Sequence, residues 1–172
     1  TLIVILFAIK SNGQITLEHS YPSGKWITSM VKLSNSGWKY QWSNASAGQL
    51  KLYNLDHSIF KSITFPVLAN ATGVWVSYAS ENTFDLDNEV EFLVYYQDDV
   101  NWANSATKII NETGTVIFDK QGETPASSTD GDEIQAIYNT PSGAKLILDS
   151  HNDNSAKVYS LPGTLVATNI KI

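Results

Sequence analysis

Cysteine and arginine are both absent from this chain of 172 residues, and each absence excludes a class of function. Without cysteine the chain forms no disulfide and no thiolate metal site. All 11 basic residues are lysines, and with 17 acidic residues the net charge is -6. Nucleic acids are bound through basic patches and arginine forks, and anionic lipids attract basic segments. The composition therefore argues against a nucleic-acid or membrane-surface partner.

Recognisable catalytic motifs are missing as well. The sequence has no G-x-S-x-G elbow, no H-E-x-x-H pair, no Walker loop and no G-x-G-x-x-G loop. The three histidines, His19, His57 and His151, are far apart in the chain, so a three-histidine zinc site is not predicted. The sequence favours a non-catalytic protein, and glycan hydrolysis by paired carboxylates is the less favoured alternative.

The chain has little apolar sequence that could cross or enter a membrane. The run TLIVILFAI at residues 1–9 is too short to span a bilayer. Lys10 and the small residues Ser11 and Gly13 follow it, as in the last part of a secretory signal. We expect residues 1–13 to be a truncated signal peptide and residues 14–172 to be one secreted or cell-surface domain. The alternative is that the run forms a buried first strand.

Three segments of the chain, beginning at Lys51, Lys108 and Lys157, repeat one pattern. Each has β-branched or aromatic residues on both sides of a polar turn, which predicts a β-hairpin. Their spacing of about 50 residues is typical of blade and array repeats.

The turns of these hairpins are predicted from their residue types. Asn111–Gly114 has asparagine first and glycine fourth, as in a type I turn followed by a residue of positive φ. Asn54–His57 follows the same scheme, because histidine tolerates the left-handed region better than most residues. Ser160–Gly163 departs from it, and we expect a type II turn with Pro162 and Gly163 at its centre.

Each hairpin belongs to a longer unit that reads as four consecutive antiparallel strands. The units cover approximately residues 26–66, 73–121 and 132–170. Tandem four-stranded meanders predict an all-β, β-propeller-like fold, and a β-sandwich is the alternative. No stretch keeps a helical apolar period, and Glu123–Glu133 reads as a polar connection. Ile15–Ser20 reads as a lone strand that would complete the last unit, whose own final strand, Leu165–Ile170, is weak.

Aromatic residues are the main candidates for ligand binding. Trp38, Tyr40 and Trp42 alternate with Lys39 and Gln41, so the three rings share one face of a strand. On an exposed face the rings could stack on sugars, whereas on an inward face they would form core. Trp102 lies among polar residues and is predicted to be exposed.

An acidic segment is the candidate for metal binding. Asp85, Asp87 and Glu89 place carboxylates at alternate positions, which a hard cation such as calcium accepts. The sixth position is Val90 and not the glycine of an EF-hand loop. An Asx-rich turn between two strands is therefore the favoured interpretation, and a weak calcium site is the alternative. The sequence predicts no other cofactor.

The chain as a whole resembles the N-terminal repeat region of secreted Bacteroidetes (flavobacterial) proteins that carry a type IX secretion sorting domain. The segments that carry the resemblance are Gln14–Pro22, Leu52–Ser58, Glu89–Leu93, Thr107–Gly114 and Lys157–Leu165. The resemblance implies export and surface attachment or release, and it implies no catalytic residues. We expect the sorting domain, which would contact the type IX secretion machinery, to follow Ile172. The expected function is binding or adhesion, with polysaccharide as the candidate ligand; a spacer without a ligand is the alternative.

Overall fold

The fold was obtained as a computed structural model that describes residues 15–21, 27–126 and 136–166. The predicted signal peptide lies outside these residues. In the described part, no helix is long and apolar enough to cross a membrane. Two 3₁₀ turns, Ala45–Ala47 and Trp102–Asn104, accompany the strands. The strands are β1 Ile27–Leu33, β2 Gly37–Asn44, β3 Gln49–Tyr53, β4 Ile59–Thr64, β5 Gly73–Ser80, β6 Glu91–Gln97, β7 Ala106–Asn111, β8 Val116–Gln121, β9 Glu123–Pro125, β10 Ile137–Thr140, β11 Gly143–Ser150 and β12 Ser155–Ser160.

The strands form three antiparallel sheets of four strands each, which confirms the predicted all-β fold. Sheet 1 has the order β1-β2-β3-β4, and sheet 2 has the order β5-β6-β7-β8. Both are meanders of consecutive strands, as the spacing of the turns predicts. Sheet 3 has the order β10-β11-β12, and β9 also pairs with β11.

Sheet 3 is not built from its own unit alone. The strand β9 follows directly from sheet 2 and pairs with Leu148–Ser150, the second half of β11. The first half of β11 pairs with β10, so β9 and β10 share one edge of β11. The prediction that Glu123–Glu133 is only a connection is therefore wrong for its first three residues. Leu165 and Val166 are not in a strand, and the rest of the predicted strand Leu165–Ile170 lies outside the described residues.

Two of the three repeated turns have the predicted geometry. His57 N–H donates to Asn54 O over 2.9 Å, and Gly114 N–H donates to Asn111 O over 2.9 Å. The φ angles of His57 and Gly114 are 67° and 85°, so histidine does take the place of glycine. Each hairpin also has a register shift beside the turn, as expected for this bulged type.

The third repeated turn does not form as predicted. A type II turn with Gly163 as its second central residue needs a positive φ there, and Gly163 has none. The chain continues instead toward sheet 2, where Gly163 N–H donates to Thr83 O over 3.2 Å. Its Cα lies so close to Asn82 that an added Cβ would overlap the carbonyl oxygen of that residue. Glycine is required at position 163 because the backbone passes close to Asn82, and not because of a turn.

Sheet 2 is the middle layer of a stack. Phe92, Val94 and Tyr96 of β6 face sheet 1 in the first core, where Phe92 meets Phe65 edge-on. Leu93, between them, faces sheet 3 in the second core together with Leu146. Neither core contains residues of both sheet 1 and sheet 3. The described residues therefore show three sheets stacked in chain order, without an interface that would close a propeller-like ring.

The connection between β6 and β7 is held by one buried carboxylate. Asp98 accepts hydrogen bonds from the N–H groups of Val100 and Asn101 and from the side chains of Asn70 and Asn104, all within 3.1 Å. The N–H of Asn101 is the largest cause that lowers the pKa of Asp98 from 3.8 to about 2, followed by the two asparagine side chains.

Low pH should weaken the connection between β6 and β7, because it protonates Asp98. Because the pKa of Asp98 is lower in the folded chain, its contribution to stability is complete above the ordinary value of 3.8 and is lost as the pH falls toward 2. We expect Asp98→Asn to be less stable than the parent chain at pH 6 and to approach it near pH 2. Urea unfolding at several pH values measures the difference. A stability difference that stays constant from pH 6 to pH 2 would contradict this role.

Candidate functional site

The aromatic row of β2 lies on the face of sheet 1 that points away from sheet 2. Lys39 pairs with Val31 and Gln41 pairs with Leu52, and residues directly opposite each other in a sheet share a face. Val31 and Leu52 belong to the first core, so Lys39 and Gln41 are on the core side. Trp38, Tyr40 and Trp42 consequently lie on the outer side. Of the two interpretations, the structure shows the outward-facing row.

Lys39 can lie on the core side because its ammonium group has a hydrogen-bond acceptor and an aromatic ring close by. The Nζ atom donates to the carbonyl oxygen of Ser36 and lies 4.6 Å from the centre of the Phe60 ring. The aliphatic part of the side chain is buried, as is common for lysine at the edge of a core. The sheet thus places a charged residue inward and three aromatic residues outward.

We call the outer side of sheet 1 the outer aromatic face; it comprises Lys32, Trp38, Tyr40, Trp42, Lys51 and Tyr53. Lys32 and Lys51 lie opposite Trp38 and Trp42, with Nζ atoms 6.0 and 5.4 Å from the ring centres. Trp42 and Tyr53 are buried, whereas Trp38 and Tyr40 are half-buried. Trp38 and Tyr40 are therefore the rings of this face that a ligand could reach.

Part of the outer aromatic face is covered by residues 15–21. His19 stacks on His57 at 4.2 Å between ring centres, and Tyr40 lies on His57 at 5.3 Å. Tyr21 packs edge-on against Tyr53 at 5.1 Å, and its hydroxyl lies 3.0 Å from Nδ1 of His57. The prediction that Ile15–Ser20 forms a strand of the last unit is wrong, since these residues form no strand and contact sheet 1.

Trp102 lies on a different surface. It begins the 3₁₀ turn before β7, is 41% exposed, and its ring centre is 5.2 Å from that of His151, in the turn between β11 and β12. Its predicted exposure is confirmed. The structure does not bring Trp102 together with Trp38, Tyr40 and Trp42, because Trp102 lies in the connection between β6 and β7 of sheet 2, whereas the row lies on the side of sheet 1 that points away from sheet 2.

The acidic candidates lie in loop 81–90, which joins β5 to β6. One oxygen atom each of Asp85, Asp87 and Glu91 lies within 4.8 Å of the others. Glu89 is not part of this group. The predicted alternation fails because the residues before β6 bend and Asn88 has a φ of 69°, so Glu91, the first residue of β6, takes the third place.

Glu91 is unusual because it is 0% exposed and has no hydrogen-bond partner on either carboxylate oxygen. Burial first, and then the charges of Asp85 and Asp87, raise its pKa to about 8. Burial also raises the pKa of Asp85. Sequence reasoning missed Glu91, although the Asx-rich turn predicted for the acidic segment already implied that a strand follows it.

Comparison with known proteins gives no relative for this arrangement. No protein-family model, no curated protein and no solved structure matches the chain. The resemblance to the flavobacterial repeat region therefore stays a prediction.

Proposed function

We propose that the chain is a non-catalytic binding module of a secreted or cell-surface protein and that its outer aromatic face binds a polysaccharide or another surface component. One observation carries the proposal: Trp38 and Tyr40 point away from the core while Lys39 of the same strand points into it. A contiguous apolar patch at a protein surface typically marks an interaction site, and Trp38 and Tyr40 are neighbours on one face of the strand.

The chemistry of the outer aromatic face suits sugars better than it suits an apolar partner. The rings offer flat surfaces on which the C–H faces of a sugar ring can stack, and such sites combine aromatic side chains with a few polar groups. Lys32 and Lys51, beside the two tryptophans, supply hydrogen-bond donors for hydroxyl or acidic groups of a glycan. Trp38 and Tyr40 follow one strand, which suits an extended chain of sugar units.

The proposed location rests on the sequence. The apolar run at residues 1–9, followed by small and polar residues, supports export. The resemblance to flavobacterial proteins with a type IX sorting domain supports the outer cell surface or the medium. Mass spectrometry of the N-terminus after expression in a secreting host would test the cleavage before Gln14.

The binding face can be tested with three tryptophan variants. We expect the parent chain to bind at least one polysaccharide on a glycan array, and Trp38→Ala to weaken binding about tenfold or more in titration calorimetry, because truncation of an aromatic residue in contact with the ligand removes a large contact area. Trp102→Ala is the matched control, since Trp102 is also partly exposed but lies beside sheet 3. Trp75→Ala, on sheet 2, is a second control.

Other results would lead to other functions. Loss of binding in Trp102→Ala with normal binding in Trp38→Ala would move the site to the surface around His151. No binding of any glycan or cell-surface fraction by the parent chain would leave the spacer without a ligand as the better explanation. Release of reducing sugars from a bound polysaccharide would show hydrolysis and would contradict the non-catalytic proposal.

A further inference from the structure

The hydrogen bonds of the described residues do not explain why the carboxylate of Glu91 is buried. Its strand neighbours are Ser80 on β5 and Asn111 on β7, and both of its oxygen atoms are buried without a partner. Buried polar atoms in folded proteins nearly always have a partner, and a buried unpaired charge costs far more than a buried unpaired amide. Protonation alone does not remove the problem, because a neutral carboxyl group still has a donor and an acceptor to satisfy.

Among the described residues, the carboxylates near Glu91 add negative charge and no ion pair supplies a positive one. Asp85 and Asp87 point oxygen atoms toward it within 4.8 Å. The ion pairs among the described residues join Glu18, Glu112, Asp119 and Asp153 to their cations, and none involves an acidic residue between positions 85 and 91. A positive charge from outside the chain would satisfy three carboxylates at once.

The loop holds its two aspartates in place. Asp85 accepts from the N–H of Asp87 over 3.2 Å, and Asp87 accepts from the N–H of Glu89 over 2.8 Å. Each aspartate uses one oxygen for these bonds. The loop is thereby bent so that both carboxylates stand over the first residue of β6.

We propose that Asp85, Asp87 and Glu91 bind a divalent cation, with calcium as the preferred ion. The donor set contains only carboxylate oxygens, which hard cations prefer and softer metals do not. The three oxygen atoms lie within 4.8 Å of one another, so each pair is separated by no more than twice a Ca²⁺–O distance of about 2.4 Å, as ligands of a shared ion must be. Water completes the coordination on the exposed side of Asp87, an arrangement that the flexible geometry of calcium accepts.

The position of this site in the fold indicates what the ion does. Loop 81–90 contacts sheet 1, because Asn88 Oδ1 accepts from the side chain of Asn35 over 2.8 Å. It also contacts the segment after β12, because Thr83 Oγ1 donates to Thr164 O over 3.1 Å. An ion bound to the same loop would therefore stabilise the joint between all three sheets. This role goes beyond polysaccharide binding and does not depend on it.

Calcium titration of the chain after treatment with EDTA tests the site. We expect one calcium ion per chain in titration calorimetry and a rise in Tm of about 5 °C at saturating CaCl2. Asp87→Asn and Glu91→Gln should each weaken calcium binding about tenfold or more, since each removes a charged ligand. Glu89→Gln is the matched control, because Glu89 is in the same loop but outside the group, and its binding should be unchanged.

Glu91→Gln has a second readout that keeps the test meaningful if binding is weak. The substitution removes a buried charge, so the calcium-free variant should melt at or above the Tm of the calcium-free parent while its response to calcium is lost. The proposal is overturned if Ca²⁺, Mg²⁺ and Mn²⁺ all fail to bind or raise the Tm of the parent chain. It is also overturned if calcium binding is equal in the parent, Asp87→Asn and Glu91→Gln. Trp38→Ala should keep its calcium response, which separates this test from that of the outer aromatic face.

Discussion

Replacing either Phe92 or Leu93 by alanine is expected to lower the free energy of unfolding by about 3–5 kcal/mol, although the two residues are neighbours in one strand. Both side chains are 0% exposed, and they belong to different cores on opposite sides of β6. Each truncation removes buried apolar surface and leaves a cavity between two sheets. Urea unfolding of both variants beside the parent chain measures the two losses.

A matched control and a clear contradiction are available for this pair. Val158 of β12 is 64% exposed, and Val158→Ala should change the free energy of unfolding by no more than about 0.5 kcal/mol. In a two-layer sandwich with an exposed outer face, one of two adjacent strand residues would be on the surface and its truncation would be nearly neutral. A near-zero effect for Phe92→Ala or Leu93→Ala would therefore contradict the position of sheet 2 between two cores.

The joint between sheet 1 and sheet 2 depends on polar groups as well as on apolar contacts. Glu81, which is 2% exposed, accepts from the N–H groups of Asn35 and Ser36 over 2.6 and 3.1 Å and from the hydroxyl of Ser36. These bonds fix the turn between β1 and β2 against loop 81–90. The same loop carries Asp85 and Asp87, so the candidate cation site and the joint are parts of one structure.

Local turn chemistry made much of the fold predictable from the sequence. Asn54–His57 and Asn111–Gly114 each specify a bulged hairpin through residue types that tolerate one particular backbone shape. The strands on either side contain β-branched and aromatic residues, so the first two sheets follow from the order of the turns. The residues that specify each turn are close together in the sequence, and such local structure can be predicted from residue types.

The sequence alone does not predict which face of β2 packs against the core. Trp38, Tyr40 and Trp42 share a face, but alternation alone does not say which face meets a core. The pairing of Lys39 with Val31 and of Gln41 with Leu52 decides it, and that pairing depends on the register of two neighbouring strands.

The third member of the acidic group was missed for a similar reason. The sequence pattern places Asp85, Asp87 and Glu89 at alternate positions of one segment, whereas Asn88, which has a φ of 69°, turns the chain before Glu91. The burial of Glu91 then follows from the packing of β6 between two sheets, which no local pattern reveals. The pairing of β9 with β11 is also a contact between units, and its short sequence carries no sign of it.

Gly163→Ala is expected to cost about 3 kcal/mol, because the added methyl group would overlap the backbone carbonyl of Asn82. The φ of Gly163 is not positive, so the backbone shape by itself would accept alanine and the whole cost would come from the collision. To avoid it, the segment after β12 must move from loop 81–90 and lose the hydrogen bond from Gly163 to Thr83. Thermal and urea unfolding of the variant measure the loss.

Gly37→Ala separates this collision from an effect of backbone shape. Gly37 has a φ of 72° but open space where a Cβ would be, so alanine there should cost only about 1 kcal/mol. If Gly163→Ala were as mild as Gly37→Ala, the segment after β12 would not be held against loop 81–90. The third copy of the repeated pattern would then end in an ordinary surface turn. A markedly larger loss would show that this copy was adapted to join sheet 3 to sheet 2, at the loop that carries Asp85 and Asp87.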